Sequence, residues 1–326
     1  MQPFDLVQPS NTREALALMA ETRDAAFIAG GTNVVDLMKC GVTSPSTLID
    51  ITRLPLGSID ADAKRIRIGA LVSNSDAAYH PAVLEHFPML SQAFLAGASP
   101  QLRNMATVGG NLLQRTRCSY FRDPAAACNK RRPGDGCDAF EGLHRMHAIL
   151  GTSDACFAAH PSDAAVALVA LDAVVEIEGA SGTRKISLEE FYALPGETPS
   201  VENGLQPGEL IVATAIPHGR AHRHSAYLKV RDRASYEFAL VSVAAGLDFD
   251  GDRIGAARVA LGGVGTIPWR VRAAEEALVG TSGDAAYQKA AEVAMRHAIP
   301  RRDNAFKIEL AKRAIMRALE IVRRGQ

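Results

Sequence analysis

No run in this sequence approaches the roughly 20 uninterrupted apolar residues that a membrane-spanning helix requires, so no span is expected. Neither sign of charge prevails: thirty-six Lys and Arg balance thirty-six Asp and Glu. Without an overall field, binding to a nucleic-acid backbone or an anionic membrane surface is not expected. The opening Met1-Gln2-Pro3-Phe4-Asp5-Leu6 lacks the basic stretch and apolar run of a secretory signal, so export would have to depend on another chain. No Ser/His/Asp or Cys/His arrangement marks a nucleophilic site. Cys40 reads as a small buried hydrophobe at the end of a helix, and Glu189-Glu190 and Glu275-Glu276 read as solvated helix faces. His80, His160 and His297 have no evident partners in the sequence.

What is present is the composition of an ordinary globular protein: 326 residues, 47% hydrophobic, enough for a sizeable core and more than one domain. Short apolar runs alternate with helical patterns through the first half, which predicts α+β or α/β rather than a bundle or a sandwich. The spacing predicts helices at residues 12–21, 34–39, 84–96 and 162–171, with Ser162 or Asp163 capping the last. Strands are expected at 25–29, 48–51, 65–68, 173–178 and 209–216. The polar stretch from Pro217 to His224 reads as a linker and sets a domain boundary. Beyond it, strands are expected at 225–230, 238–249 and 253–261, then helices from Trp269, Asp284 and Asn304. In the last helix Phe306, Leu310, Ala314, Ala318 and Val322 form an apolar stripe, so this smaller unit reads as a sheet covered by helices.

Two glycine pairs carry the first chemical signal. Ala29-Gly30-Gly31-Thr32-Asn33 lies between a predicted strand and a helix, where bare backbone N–H groups can approach an anion such as a pyrophosphate. It is neither G-x-G-x-x-G nor a Walker A loop, and alone it reads better as a tight turn. A second pair, Thr107-Val108-Gly109-Gly110-Asn111, repeats the pattern, and two such loops could clamp a diphosphate or a nucleotide. A third, Gly262-Gly263, reads as a turn after a strand.

The second signal is the cysteines. Cys118, Cys128, Cys137 and Cys156 fall in a stretch from about 113 to 157 that has no periodicity and is rich in Arg, Asp, Gly and Pro. Their spacings of 10, 9 and 19 contain no C-x2-4-C knuckle, which disfavours zinc. Disulfides do not suit a chain without an export signal. Four thiolates from one loop can hold an iron–sulfur cluster, whose negative charge Arg115, Arg117, Arg122, Lys130, Arg131, Arg132 and Arg145 would offset.

These motifs, with His160-Pro161-Ser162-Asp163, Glu209 to Pro217, Lys229, and Leu261-Gly262-Gly263-Val264 with Pro268-Trp269-Arg270, resemble the flavoprotein subunit of the xanthine dehydrogenase and CO dehydrogenase family. The cysteine stretch departs from ordinary members as an insertion. With Tyr227 to Tyr236, it resembles the FAD and [4Fe–4S] subunit of periplasmic molybdenum aldehyde oxidoreductases; hydroxybenzoyl-CoA reductases carry an analogous loop. The resemblance implies an α+β fold: a two-part FAD-binding domain of the vanillyl-alcohol-oxidase type at 1–220 (subdomains about 1–55 and 56–220), then a C-terminal domain at 221–326. It implies FAD held by Phe27, Ile28, Ala29, Gly30, Gly31, Thr32, Asn33, Val34, Thr107, Gly109, Gly110, Asn111, Leu113, Asp163, Ile211 and Lys229, and a [4Fe–4S] cluster held by Cys118, Cys128, Cys137 and Cys156. Leu113 would pack on the isoalloxazine ring, Asp163 would bind a cofactor hydroxyl, and Lys229 would tune the flavin from the far side. It further implies a large partner with the molybdenum cofactor, a small partner with two [2Fe–2S] clusters, an external electron acceptor, and a periplasmic location reached through a partner's signal, the alternative being cytoplasmic. A related molybdenum hydroxylase, and a nucleotide-binding protein with a structural zinc loop, stand as rival functions.

Overall fold

The computed structural model describes residues 1–325, and its mixed helices and sheets give the α+β class expected from the sequence. Three sheets organise it. The first is parallel, with β3 (Thr47–Asp50) between β1 (Asp5–Val7) and β2 (Ala25–Ile28). Helices α1 (Thr12–Glu21) and α2 (Val34–Lys39) accompany it, and Asn11 caps α1 by accepting from Glu14 N at 2.9 Å.

The second sheet is antiparallel, in the order β4 (Ile59–Ala61), β5 (Arg65–Gly69), β8 (Leu210–Pro217), β6 (Val174–Gly179), β7 (Gly182–Ser187). Strand β8 is central and buried along nearly its whole length, which its run Leu-Ile-Val-Ala-Thr-Ala-Ile requires. Helices α3 (Asn74–Tyr79), α4 (Pro81–His86), α5 (Pro88–Ala96), α6 (Pro100–Met105), α7 (Val108–Leu112) and α9 (Asp163–Ala170), with the single turn α10 (Leu188–Phe191), belong to this part. The helix expected over 84–96 is two: Pro88 follows Phe87, whose φ of −138° and ψ of 55° leave the helical region, as a residue before proline tends to do.

The third sheet is also antiparallel, in the order β12 (Trp269–Arg270), β11 (Arg253–Gly262), β10 (Val241–Asp250), β9 (Ser225–Val230). Helices α11 (Arg272–Leu278), α12 (Asp284–Ala294) and α13 (Phe306–Arg324) complete this part. Trp269 therefore begins a strand rather than a helix, because it pairs with Leu261. The buried face of α13 is rotated from the predicted stripe: it runs through Lys307, Ala311, Ala314, Ile315, Ala318, Leu319 and Val322, leaving Phe306 39% exposed. Glu275 is not solvated but buried beside Arg270.

Between Leu113 and Phe157 the only helix is the single turn α8 (Ser119–Arg122). Side chains order the remainder. Asn129 Oδ1 accepts from Gly136 N at 2.8 Å, Asp138 Oδ2 accepts from Ala127 N at 2.8 Å, and Arg131 donates to the carbonyls of Tyr120 and Phe121. The end of the segment docks on the C-terminal part: Ile149 N and Leu150 N donate to the Val264 carbonyl, and both side chains join that core.

Candidate functional site

The two Gly-Gly loops meet. A Cβ added to Gly30 would collide with the Met105 carbonyl, so only glycine lets β2 run on against the end of α6. Gly109 packs on Ala70, where a Cβ would lie 2.9 Å from the alanine methyl, and Thr107 Oγ1 accepts from Gly110 N at 3.2 Å. Gly31 takes the turn with φ of 70°. Between the loops lies a trough with two wings. The first is lined by Phe27, Ala29 to Val34, Thr107, Gly109, Gly110, Leu113, Leu210 and Ile211. The second is lined by Asn74, Phe94, Arg103, Asn111, Arg117, Arg122, Asp163, Lys229 and Phe238, among others. Thr32, Asn33 and Gly110 border both.

Of the residues implied for FAD, only Ile28 lies outside the trough, under Gly31. Leu113 and Ile211 line one wing, and Asp163 and Lys229 the other. The Lys229 ammonium donates to Asp163 Oδ2 at 2.8 Å and to the Ala96 carbonyl at 3.1 Å, and both side chains of the pair are nearly sealed from water. Tyr227, which sequence reasoning passed over as a site residue, donates to Asp163 Oδ1 at 2.7 Å. Burial and the Asp163 charge push its phenol well above the ordinary range, so it remains a donor. Asp163 keeps acceptor capacity beyond these two bonds.

Several polar atoms bordering the trough are buried without a hydrogen-bond partner among the described residues: Asn33 Nδ2, Asn74 Oδ1, Arg103 Nε and Arg122 Nη1. Native proteins seldom leave such atoms unsatisfied, and a long ligand with phosphates and hydroxyls would supply their partners. Asn33 is held for this by its Oδ1, which accepts from Arg115 N at 3.0 Å. The trough thus fits a dinucleotide such as FAD in glycine cradle and donor set.

The four clustered cysteines also converge. Cys118, Cys128, Cys137 and Cys156 all line one small cavity, with Tyr120, Phe121 and Phe157 in its wall. Cys128 and Cys137 face each other across an antiparallel bridge. Backbone N–H groups of Phe121 and Tyr120 point to Cys118 Sγ, those of Ala139 and Phe140 to Cys137, and Ala158 N to Cys156 at 3.5 Å. Burial pushes the thiols of Cys118 and Cys137 up to about 12 and about 11, so a bound cation is needed to hold them as thiolates. Among the described residues, no three His, Cys, Asp or Glu side chains gather tightly enough for a single metal ion. Four thiols lining one cavity are the donor types that a polynuclear iron–sulfur site requires.

The basic residues expected to surround the cysteines are mostly committed elsewhere. Arg115 and Lys130 pair with Glu202, Arg122 with Asp36, Arg132 with Asp135 and Arg145 with Asp232. Burial pushes Glu202 up, but Lys130 and Arg115 together outweigh it and hold the carboxyl below its usual range. Arg131 braces loop carbonyls, and Arg117 donates to the Arg115 carbonyl over Phe238. Cys40 is half-buried and accepts from Arg122 at 3.4 Å. Sequence reasoning also missed Lys307, fully buried, which donates to the carbonyls of His147 and Gly263 at 3.0 and 2.7 Å.

Comparison with known proteins agrees with this geometry. Residues 2–219 match the model of the FAD binding domain in molybdopterin dehydrogenase, and 226–322 that of the CO dehydrogenase flavoprotein C-terminal domain. The chain is 50% identical to the aldehyde oxidoreductase FAD-binding subunit PaoB of Escherichia coli strain K12, over 98% of each chain. It is 28% identical to the nicotinate dehydrogenase FAD-subunit of Eubacterium barkeri, over 86% of this chain and 81% of that one. Among solved structures, CO dehydrogenase from Hydrogenophaga pseudoflava superposes with a TM-score of 0.78 at 26% identity, covering 99% of this chain and 98% of that chain. The chain therefore belongs to the FAD-binding medium-subunit family of the CO dehydrogenase and xanthine dehydrogenase type, and is a subunit of an oxidoreductase complex.

Proposed function

We infer that this chain is the electron-transfer flavoprotein subunit of a molybdenum-dependent aldehyde oxidoreductase, and that it carries a [4Fe–4S] cluster beside its FAD. One observation carries the reading: four cysteines spread over the insertion line a single buried cavity, in a chain whose trough fits FAD. The identity to an aldehyde oxidoreductase FAD-binding subunit, 50% over 98% of each chain, supports the substrate class. Bound there, FAD and the cluster would supply the electron-accepting chemistry, and the protein supplies their placement and potential.

The chain's own residues divide the work. Gly30, Gly31, Gly109 and Gly110 let backbone N–H groups approach the diphosphate; Asn33 presents its side-chain amide between the wings and Asn111 presents its own in the second wing. Asp163, fixed by Tyr227 and Lys229, accepts from a ribityl or ribose hydroxyl. Cys118, Cys128, Cys137 and Cys156 hold the cluster, and the N–H groups around them stabilise negative charge on sulfur. In this reading a large partner holds molybdenum and the aldehyde, a small partner holds two [2Fe–2S] clusters, an external acceptor takes the electrons, and the complex reaches the periplasm on a partner's signal.

The test is an absorbance spectrum of the anaerobically purified complex, with FAD, iron and acid-labile sulfide counted against the same complex carrying Cys137→Ser. Flavin in both, and about four iron and four sulfide fewer in the variant, is the expected result. Flavin with equal iron in both overturns the cluster; zinc with no flavin overturns the whole reading.

A further inference from the structure

Cys118 differs from the other three cysteines in having a side-chain partner. His147 Nε2 lies 3.2 Å from its Sγ. The imidazole is almost fully buried and stands in the wall shared by the cysteine cavity and a neighbouring cavity that reaches Asp163. Its other nitrogen, Nδ1, is buried with no partner among the described residues. A proton on Nδ1 would be an orphan donor, whereas one on Nε2 points at sulfur, so the tautomer with hydrogen on Nε2 is favoured.

The ring is not free to turn away. It packs on Phe157, with centroids 4.7 Å apart, and Phe157 follows the ligand Cys156. From α13, Lys307 donates to the His147 carbonyl at 3.0 Å, and Asn304 donates to the neighbouring Ala148 carbonyl at 3.2 Å. One side chain from α13 and one from the turn before it thus fix the backbone that aims the imidazole. An N–H donated to a cluster sulfur stabilises the more negative, reduced form over the oxidised one.

We propose that His147 is a positioning residue of the cluster site: it donates an Nε2–H···S hydrogen bond to Cys118 and biases the site toward its reduced form. This rests on the four-iron reading above. His147 is then the outer support of a ligand and not a fifth ligand, since four thiols already complete the set and its Nε2 lies at hydrogen-bond distance from one of them.

The experiment is a redox titration of the assembled complex followed by electron paramagnetic resonance, with iron counted in each sample. His147→Leu removes the donor; His147→Gln restores an N–H near the same place. The leucine variant is expected to shift the four-iron couple about tenfold toward the oxidised form, a midpoint about 59 mV lower for one electron. The glutamine variant is expected to stay within about threefold of the parent, about half that shift on the same scale. If the parent lacks the iron that Cys137→Ser removes, the cluster reading itself fails. If the cluster is present and the leucine variant titrates with the parent, the cluster stands and the role of His147 falls. Should the leucine variant lose its iron, His147→Phe, which keeps a ring against Phe157, is titrated in its place. Iron retained at the parent's potential by glutamine but lost by both apolar variants supports the donor; loss in all three overturns it in favour of simple packing.

Discussion

At Gly30 a single hydrogen atom in place of a side chain allows two backbone segments to touch, because any Cβ there would meet the Met105 carbonyl. Gly30→Ala must therefore spread the two glycine loops, and the purified complex is expected to lose flavin at least about tenfold, some 1.4 kcal/mol of binding. The 450-nm absorbance after gel filtration reads this, and full flavin occupancy would refute the tight cradle. Lys229 offers a second test. Its ammonium and the Asp163 carboxylate are both nearly sealed from water, so Lys229→Met leaves a buried carboxylate with the Tyr227 hydrogen bond but no counter-charge. The expected destabilisation is about 3–5 kcal/mol in chemical denaturation, largely recovered when Asp163→Asn is added. A lysine that contributed only at an exposed surface would cost under about 1 kcal/mol. The sequence pointed to Asp163 and Lys229 only through resemblance, because residues 66 apart in the chain carry no local mark of their pairing.

Among the elements, those with local signatures were legible. Ser162 marks a helix start that its side chain does cap, and the polar–apolar alternation of Arg65-Ile66-Arg67-Ile68 marks β5. Short strands such as β1 and β4 lacked enough residues to show a period, and Trp269 became a strand only by pairing with β11. The face of α13 was misread because lysine is rarely fully buried, yet Lys307 is. The clustering of cysteines was visible, but nothing local joins residue 147 to residue 307. That link has a testable consequence. Lys307→Met leaves the Gly263 carbonyl without this donor and the His147 carbonyl with only the longer bond from Asn304, at a cost of about 1–3 kcal/mol. Hydrogen exchange is expected to quicken at residues 143–157 more than in α12. Uniform exchange in that segment, with unchanged stability, would sink the idea that α13 orders the end of the insertion.

On the scale of the whole molecule, the FAD-binding and C-terminal parts are joined by buried polar groups. Arg270, on β12, bonds Glu275, Asp172 and the Val169 carbonyl, while Arg258 also reaches Asp172. His222, in the linker between the parts, is 3% exposed, with Nδ1 against the Pro217 carbonyl. Burial pushes His222 down to about 4, and burial likewise pushes His160 down to about 3. Both rings are thus neutral in the folded protein at pH 5, whereas in the unfolded chain they titrate near 6.5. Between those values the unfolded state binds more protons, so stability rises with pH and is lost as pH falls from about 6.5 toward about 4. Above about pH 5 the carboxylates stay ionised in both states and contribute little to the slope. The thermal midpoint is therefore expected to fall between pH 7 and pH 5, with about 2 kcal/mol per histidine lost by pH 5. His222→Gln should flatten the decline without raising stability at pH 7. A midpoint independent of pH over this window, or a slope unchanged in the variant, would place the acid sensitivity elsewhere than at the junction between the two parts.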